Sequence, residues 1–203
     1  MFTGIVSELG TVSAAEPTNG GAALTIAAPR TCDGLAIGDS VAVNGVCLTA
    51  VQIENDRFTV EAVSETLQRT NLGDLVTGSP VDLERPVEAA GGRFDGHVVQ
   101  GHVDGVGVIR AIDAEGDSRR IRISTPTTLA RYLVEKGSVT VDGVSLTITA
   151  VSDVHAVEPW FEIVLIPHTL DVTVLGARTI GDRSNLEADI LAKYVERLME
   201  ARV

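Results

Sequence analysis

Short runs of alternating apolar and polar residues fill most of this 203-residue chain, and glycine, asparagine and aspartate break them up. Leu24-Thr25-Ile26, Ser40 to Val43 and Phe58 to Ala62 are runs of this kind. A period of two predicts strands with one buried face. Asn44-Gly45 and Asp142-Gly143 each stand between two such runs. Both positions of these pairs favour positive φ, so each pair predicts a two-residue hairpin turn. Helical spacing is confined to a few places. A short helix is expected around Thr127 to Glu135 and a weaker one near Arg30 to Leu35. From Leu186 to Val203 the apolar residues Leu186, Ile190, Tyr194, Val195 and Leu198 recur at helical intervals, with Asp189, Lys193, Glu196 and Arg197 between them.

The pattern occurs twice. Gly4-Ile5-Val6 followed by Gly10-Thr11-Val12 returns as Gly101-His102-Val103 followed by Gly107-Val108-Ile109. The block from Ser40 to Thr49 returns from Ser138 to Thr147. Glu65-Thr66-Leu67 with Gly73 returns as His168-Thr169-Leu170 with Gly176, and Val81-Asp82-Leu83-Glu84 returns as Ser184-Asn185-Leu186-Glu187. Four blocks recurring in one order mean an internal duplication. Several short strands in each half predict a mainly β protein with two small closed barrels, a form that leaves no exposed sheet edge. The terminal helix has no counterpart in the first half, where Pro86 follows the matching block. Its apolar face needs cover, from its own barrels or from a neighbouring subunit, and the subunit contact is the expectation.

Composition narrows the function. The 44% hydrophobic content can fill a core, and with only 3% aromatics that core must be Val, Ile, Leu and Ala. A net charge of -12 argues against nucleic acid or an anionic membrane as partner. The cluster Arg119, Arg120 and Arg122 reads as a solvated strand edge. Cys32 and Cys47 show neither CxxC spacing nor neighbouring histidines, so no disulfide framework or metal site is expected. No apolar run approaches the ~20 residues of a membrane span. Met1-Phe2-Thr3-Gly4 lacks the basic start and apolar stretch of a signal peptide, so a cytoplasmic location is expected. GxxxxGK[ST], HExxH and GxSxG are absent, and Gly105-Val106-Gly107 lacks the third glycine of a dinucleotide loop.

The candidate chemistry therefore rests on polar groups placed alike in the two halves. After each hairpin turn, alternation sends Cys47 and Thr49 to one face and Val46, Leu48 and Ala50 to the other; Ser145 and Thr147 repeat the arrangement. Cys47 alone reads as a small buried hydrophobe, but a serine at the matching place points to a hydrogen-bonding or nucleophilic role. His97 and His102 are expected on opposite faces of one strand, a poor geometry for sharing a metal. His102 replaces Ile5 of the first copy, so a group that moves protons near neutral pH stands in one copy only. Glu65 and His168 differ between copies, and Lys136 stands where the first copy has Gly38. Asp189, at the helix start, is adequately explained by helix-terminus stabilisation.

Met1-Phe2-Thr3-Gly4-Ile5-Val6, Asn44-Gly45-Val46-Cys47-Leu48-Thr49, Gln100-Gly101-His102-Val103, Asp142-Gly143-Val144-Ser145-Leu146-Thr147 and Ile166-Pro167-His168-Thr169-Leu170 together resemble riboflavin synthase of the α-chain type. The resemblance implies two tandem six-stranded antiparallel barrels, at 1–96 and 97–186, and a C-terminal helix at 187–203 for the contacts of a homotrimer. It implies a transferase that dismutates two molecules of 6,7-dimethyl-8-ribityllumazine, one giving a four-carbon unit to the other, with riboflavin and a pyrimidine as products and no cofactor or metal. Its active site would pair the first barrel of one subunit with the second barrel of a neighbour. The resemblance also makes lumazine synthase, which makes the substrate, a candidate partner.

Carried onto this sequence, the resemblance gives ligand-binding positions in the first copy at Phe2, Gly4, Ile5, Val6, Ser40, Cys47, Leu48, Thr49, Glu61, Ala62, Val63, Ser64, Glu65 and Thr66. In the second copy they fall on Gly101, His102, Val103, Lys136, Ser145, Leu146, Thr147, Ile166, Pro167, His168, Thr169, Leu170, Asp171 and Asp189. His102, Ser145 and Cys47 carry the implied catalytic roles, with His102 moving protons. Asp82 departs from the pattern, because the family often has asparagine there. The alternative is a non-catalytic relative of the same fold that holds a lumazine or flavin as a chromophore; such relatives lose key polar residues that this chain keeps.

Overall fold

The computed structural model describes residues 1–88 and 92–200. Six strands form the first barrel: β1 (Glu8–Thr18), β2 (Gly21–Ala27), β3 (Ser40–Val43), β4 (Val46–Glu54), β5 (Arg57–Val63) and β6 (Pro80–Glu84). They close in the order β1-β2-β5-β4-β3-β6, all neighbours antiparallel. The second barrel is made from β7 (Gly105–Glu115), β8 (Ser118–Ser124), β9 (Ser138–Val141), β10 (Val144–Val151), β11 (Trp160–Leu165) and β12 (Arg183–Ala188). It closes in the equivalent order β7-β8-β11-β10-β9-β12. Alternation fills each interior: Val41, Val43, Val46, Leu48, Phe58 and Val60 in one, Ile121, Ile123, Val139, Val141, Phe161 and Ile163 in the other. Bulges fall at matching places, after Val12 and Ala50 in the first barrel and after Ile109 and Ile148 in the second. The extra twist at a bulge bends the sheet so that it can close.

The two expected hairpins form, with φ of 45° and 74° at Asn44-Gly45 and 50° and 87° at Asp142-Gly143. Their tips meet back to back: a Cβ on Gly45 would lie 2.6 Å from the Gly143 nitrogen. This contact marks the pseudo-twofold axis between the barrels.

Several details differ from the sequence reading. The helix expected over Thr127 to Glu135 is one turn, α3 (Thr127–Ala130), and that near Arg30 is α1 (Pro29–Cys32). Two more short helices, α2 (Ser64–Arg69) and α4 (Pro167–Val172), follow β5 and β11 and were not anticipated. The terminal helix, α5 (Ile190–Glu200), starts later than Leu186. Leu186 is a fully buried strand residue, the counterpart of Leu83, so a cut at 186/187 falls inside β12. Residues 201–203 of that expected helix lie outside the described residues. The arginine cluster is not at an edge, because β8 pairs on both sides; Arg122 bonds Glu162 at 2.7 Å and stacks 4.2 Å from the Trp160 ring.

A buried polar network ties the barrels together across the axis. Asn185 accepts from the Asn71 backbone N–H at 2.7 Å and donates from Nδ2 to the Asn44 carbonyl at 2.8 Å. Its counterpart Asp82 accepts from the Val174 N–H at 2.9 Å through Oδ1, while Oδ2 has no partner among the described residues. Arg178 donates from its Nε and Nη2 to Asp142. Burial pushes the Asp82 carboxyl well above the ordinary carboxylate range; the Val174 N–H opposes this, Asp142 adds to it, and Arg178 opposes it weakly.

Between its unfolded and its folded pKa, Asp82 therefore holds its proton in the folded state and releases it in the unfolded one. The folded state then binds more protons, so stability falls as pH rises from the unfolded pKa towards the folded one. Asn at this position supplies the Nδ2 that Asn185 supplies on the other side. Asp82→Asn is expected to raise Tm, worth about 1–3 kcal/mol at pH 8 and little near pH 4, as parallel thermal melts would show.

Candidate active site

The segments that lead into the barrels cross over. Phe2 and Val99 exchange backbone hydrogen bonds at 2.7 and 3.1 Å, and the His97 N–H donates to the Thr3 carbonyl. This pairing carries residues 2–6 onto the second barrel and residues 99–103 onto the first. The Ser145 N–H donates to the Gly4 carbonyl at 2.7 Å, and the Cys47 N–H donates to the Gly101 carbonyl at 2.9 Å. Val6 packs on the second core and Val103 on the first. Both glycines sit at φ 77°, and a Cβ on either would lie 2.6–2.7 Å from the Cβ of Ser145 or Cys47. Each candidate site therefore combines the outward face of β4 or β10 with the leading segment of the opposite copy.

The outward faces are as alternation predicts. Cys47 and Ser145 are half-buried, Thr49 and Thr147 exposed, and Leu48 points into the core. Leu146 is half-buried against the second core. Ser40 pairs with Thr49. Phe2 is fully buried in a small cluster with Ala42 and Val99, against which Cys47 packs, so its ring supports the site from beneath.

Around the β5–α2 junction, Glu61, Val63, Ser64 and Glu65 are exposed, Thr66 is half-buried and Ala62 is in the core. Matching them, Ile166, Pro167, His168 and Asp171 are exposed on α4, with Thr169 half-buried and Leu170 packed on the second core. The hydroxyls of Thr70 and Thr173 cap the two junctions alike, donating to the carbonyls of Thr66 and Thr169 at 2.6 and 2.7 Å. A cleft of about 430 Å³ joins Val6, Ser7, Glu8 and Leu9 to His168, Asp171 and Val172, with Arg30 on its rim. It brings together candidates from both copies. Ile5, next to Val6 in the chain, is half exposed.

The histidines behave differently from expectation. Neither lies on a named strand, because their segment is held by the crossed pairing with Phe2 and Thr3. His97, not His102, reaches a reactive group: its Nδ1 is 2.7 Å from Ser145 Oγ. Burial pulls the His97 pKa below its ordinary 6.5, and Asp189 nearby pulls it up. Burial thus favours the neutral imidazole, which can accept the Ser145 proton in the tautomer that leaves Nδ1 unprotonated. Asp189 also caps α5, accepting from the Leu191 N–H at 3.0 Å. His102 is exposed, and its backbone N–H donates to Glu187 at 3.0 Å.

Lys136 carries a signal of its own. It sits at φ 66° and donates its N–H to the Ile148 carbonyl at 2.8 Å. Gly38 does the same in the first copy, at φ 96° and to Ala50 at 2.8 Å. A lysine held in the left-handed region costs about 1–2 kcal/mol, and its exposed side chain returns nothing to packing. Retained strain of this kind makes Lys136 a candidate functional residue. Lys136→Gly is expected to leave stability unchanged or raise it by up to about 1 kcal/mol. If Lys136 serves the site, the same change weakens ligand binding about 3–10-fold, as calorimetry and denaturant melts on one preparation would show.

The lumazine binding domain family matches this chain twice, over residues 3–86 and 100–189. Riboflavin synthase from Mycobacterium tuberculosis is 50% identical over 202 residues, covering 99% of each chain. The chain belongs to the riboflavin synthase family. The riboflavin synthase of Bacillus subtilis is 42% identical over 98% of this chain and 90% of its own, and that of Schizosaccharomyces pombe is 41% identical over 100% and 96%. Among solved structures, LumP complexed with riboflavin superposes with a TM-score of 0.83 at 25% identity, covering 93% of this chain and 99% of that one. LumP complexed with 6,7-dimethyl-8-(1'-D-ribityl) lumazine gives 0.80 at 24%, over the same shares. The duplication is thus a family property, and the boundaries of its two units fall between residues 86 and 100 and near Asp189.

Proposed function

We infer that this chain is a riboflavin synthase, taking two molecules of 6,7-dimethyl-8-ribityllumazine to riboflavin and a ribitylaminopyrimidine. The observation that carries the reading is the Ser145–His97 contact of 2.7 Å on the outward face of β10. It adds reactive chemistry to a family match that spans both barrels.

One lumazine lies along β10 and α4 with Gly4 to Val6, and the other along β4 and α2 with Gly101 to Val103. The heterocycle is neutral and carries a polyol, which suits backbone amides, hydroxyls and the Lys136 ammonium as partners. His97 takes the Ser145 hydroxyl proton, so that the oxygen, or a water it holds, adds to C7 of one lumazine. The other lumazine loses a proton from its C7 methyl, whose anion is delocalised into the ring. His102, beside Cys47, is the group that moves protons there. Face-to-face holding of the two rings contributes several kcal/mol (~7 or more in good cases).

Within one chain the two sites lie on separate barrels, so reaction needs a barrel from each of two subunits. Leu191, Tyr194, Val195, Leu198 and Met199 on α5 are all more than half exposed. Covering these in a homotrimer brings first and second barrels of neighbours together. Calorimetric titration with the lumazine, followed by product analysis, tests the reading. Two equivalents bound per chain with riboflavin formed supports it; one equivalent and no product favours the chromophore-carrying alternative.

A further inference from the structure

Glu84 and Glu187 are almost fully buried, yet no cation pairs with either among the described residues. Each carboxylate is held by three donors from a leading segment instead. Glu84 accepts from the Thr3 N–H at 2.7 Å, the Thr3 hydroxyl at 2.8 Å and the Gly4 N–H at 2.9 Å. Glu187 accepts from the N–H groups of Gln100, Gly101 and His102 at 2.8, 2.9 and 3.0 Å. Successive amides converging on one anion form a nest, and such bonds favour the charged carboxylate against its burial.

The two glutamates lie at matching places near the ends of β6 and β12, but their targets lie across the axis. Glu84 belongs to the first barrel, and the glycine it grips passes its carbonyl to Ser145 on the second. Glu187 belongs to the second barrel, and the glycine it grips passes its carbonyl to Cys47 on the first. Each glycine is clamped by its N–H on one barrel and by its carbonyl on the other.

We propose that Glu84 and Glu187 are crossed positioning residues, each setting the geometry of the ligand site on the barrel opposite its own. The proposal rests on the reading that lumazines bind along β4 and β10. Neither glutamate touches the ligand. A glutamine at either position turns an amide N–H₂ towards backbone N–H groups and shifts the leading segment, and with it the site strand that the glycine carbonyl holds. The damage then appears in the other barrel.

The test is hydrogen–deuterium exchange by mass spectrometry on the full chain, with and without 6,7-dimethyl-8-ribityllumazine at a concentration that half-saturates the unmodified protein. The unmodified protein is expected to gain protection in peptides covering residues 46–54 and 144–151. Glu84→Gln is expected to lose it at 144–151 and keep it at 46–54, with about tenfold weaker binding at the affected site. Glu187→Gln is expected to do the reverse. Where a glutamine variant does not fold, Glu84→Asp or Glu187→Asp, which keeps the charge at shorter reach, is read in the same way. Loss in the barrel that carries the substitution, in both barrels equally, or in neither overturns the crossed assignment. Absence of protection in the unmodified protein overturns the lumazine sites themselves, and the assignment with them.

Discussion

His97→Gln lowers turnover by about 10²–10⁴-fold, the usual worth of a positioned general base, with Tm and lumazine affinity close to those of the unmodified protein. Glutamine keeps a hydrogen-bonding group near Ser145 Oγ but cannot take its proton. The imidazole it replaces has one nitrogen on Ser145 and the other, Nε2, buried with no partner among the described residues, so little packing or bonding is lost. Stopped-flow absorbance under single-turnover conditions separates the chemical step from binding. Unchanged turnover would remove His97 from the mechanism. Because burial holds the His97 pKa below 6.5, the acid limb of kcat/KM is expected below that of free histidine.

Gly101→Ala carries the largest structural effect. The residue sits at φ 77°, and an added Cβ would lie 2.7 Å from the Cβ and 2.8 Å from the nitrogen of Cys47. The conformational penalty is about 1–2 kcal/mol, and overpacking against a strand that closes a barrel adds about 1–3 kcal/mol. A loss of roughly 2–5 kcal/mol is expected, together with loss of the first-barrel site, because the Gly101 carbonyl and His102 move with the backbone. Gly116→Ala is the control: it has a similar φ of 62° but nothing within 4 Å of the added atom. It isolates the conformational part. Equal destabilisation by the two substitutions would show that the close approach to Cys47 is not what demands glycine.

The duplicated pattern made the barrels legible. A hairpin pair at Asn44-Gly45 and alternation through β4 depend only on local sequence, and both returned at Asp142-Gly143 and β10. The outward placement of Cys47, Thr49, Ser145 and Thr147 followed from the same periodicity. The crossing did not, because it depends on residues 2–3 pairing with residues 97–99, and no local rule brings those segments together. His97 was lost for that reason and because the matched blocks begin at Gly4 and Gly101, where it has no counterpart. Glu84 and Glu187 stood in matching blocks in plain view, but a strand-end glutamate reads as a solvated charge until its three donors are seen. Leu186 satisfied a helical spacing by coincidence; its match with Leu83 was the better guide, since a duplicated strand outranks a short periodicity.

Direct turnover tests whether this chain converts two lumazines into riboflavin with its own residues. Purified protein is mixed with 6,7-dimethyl-8-ribityllumazine alone, and both products are quantified against substrate consumed. One riboflavin and one pyrimidine are expected for every two lumazines, without added cofactor. Tight lumazine binding with no riboflavin formed would contradict it.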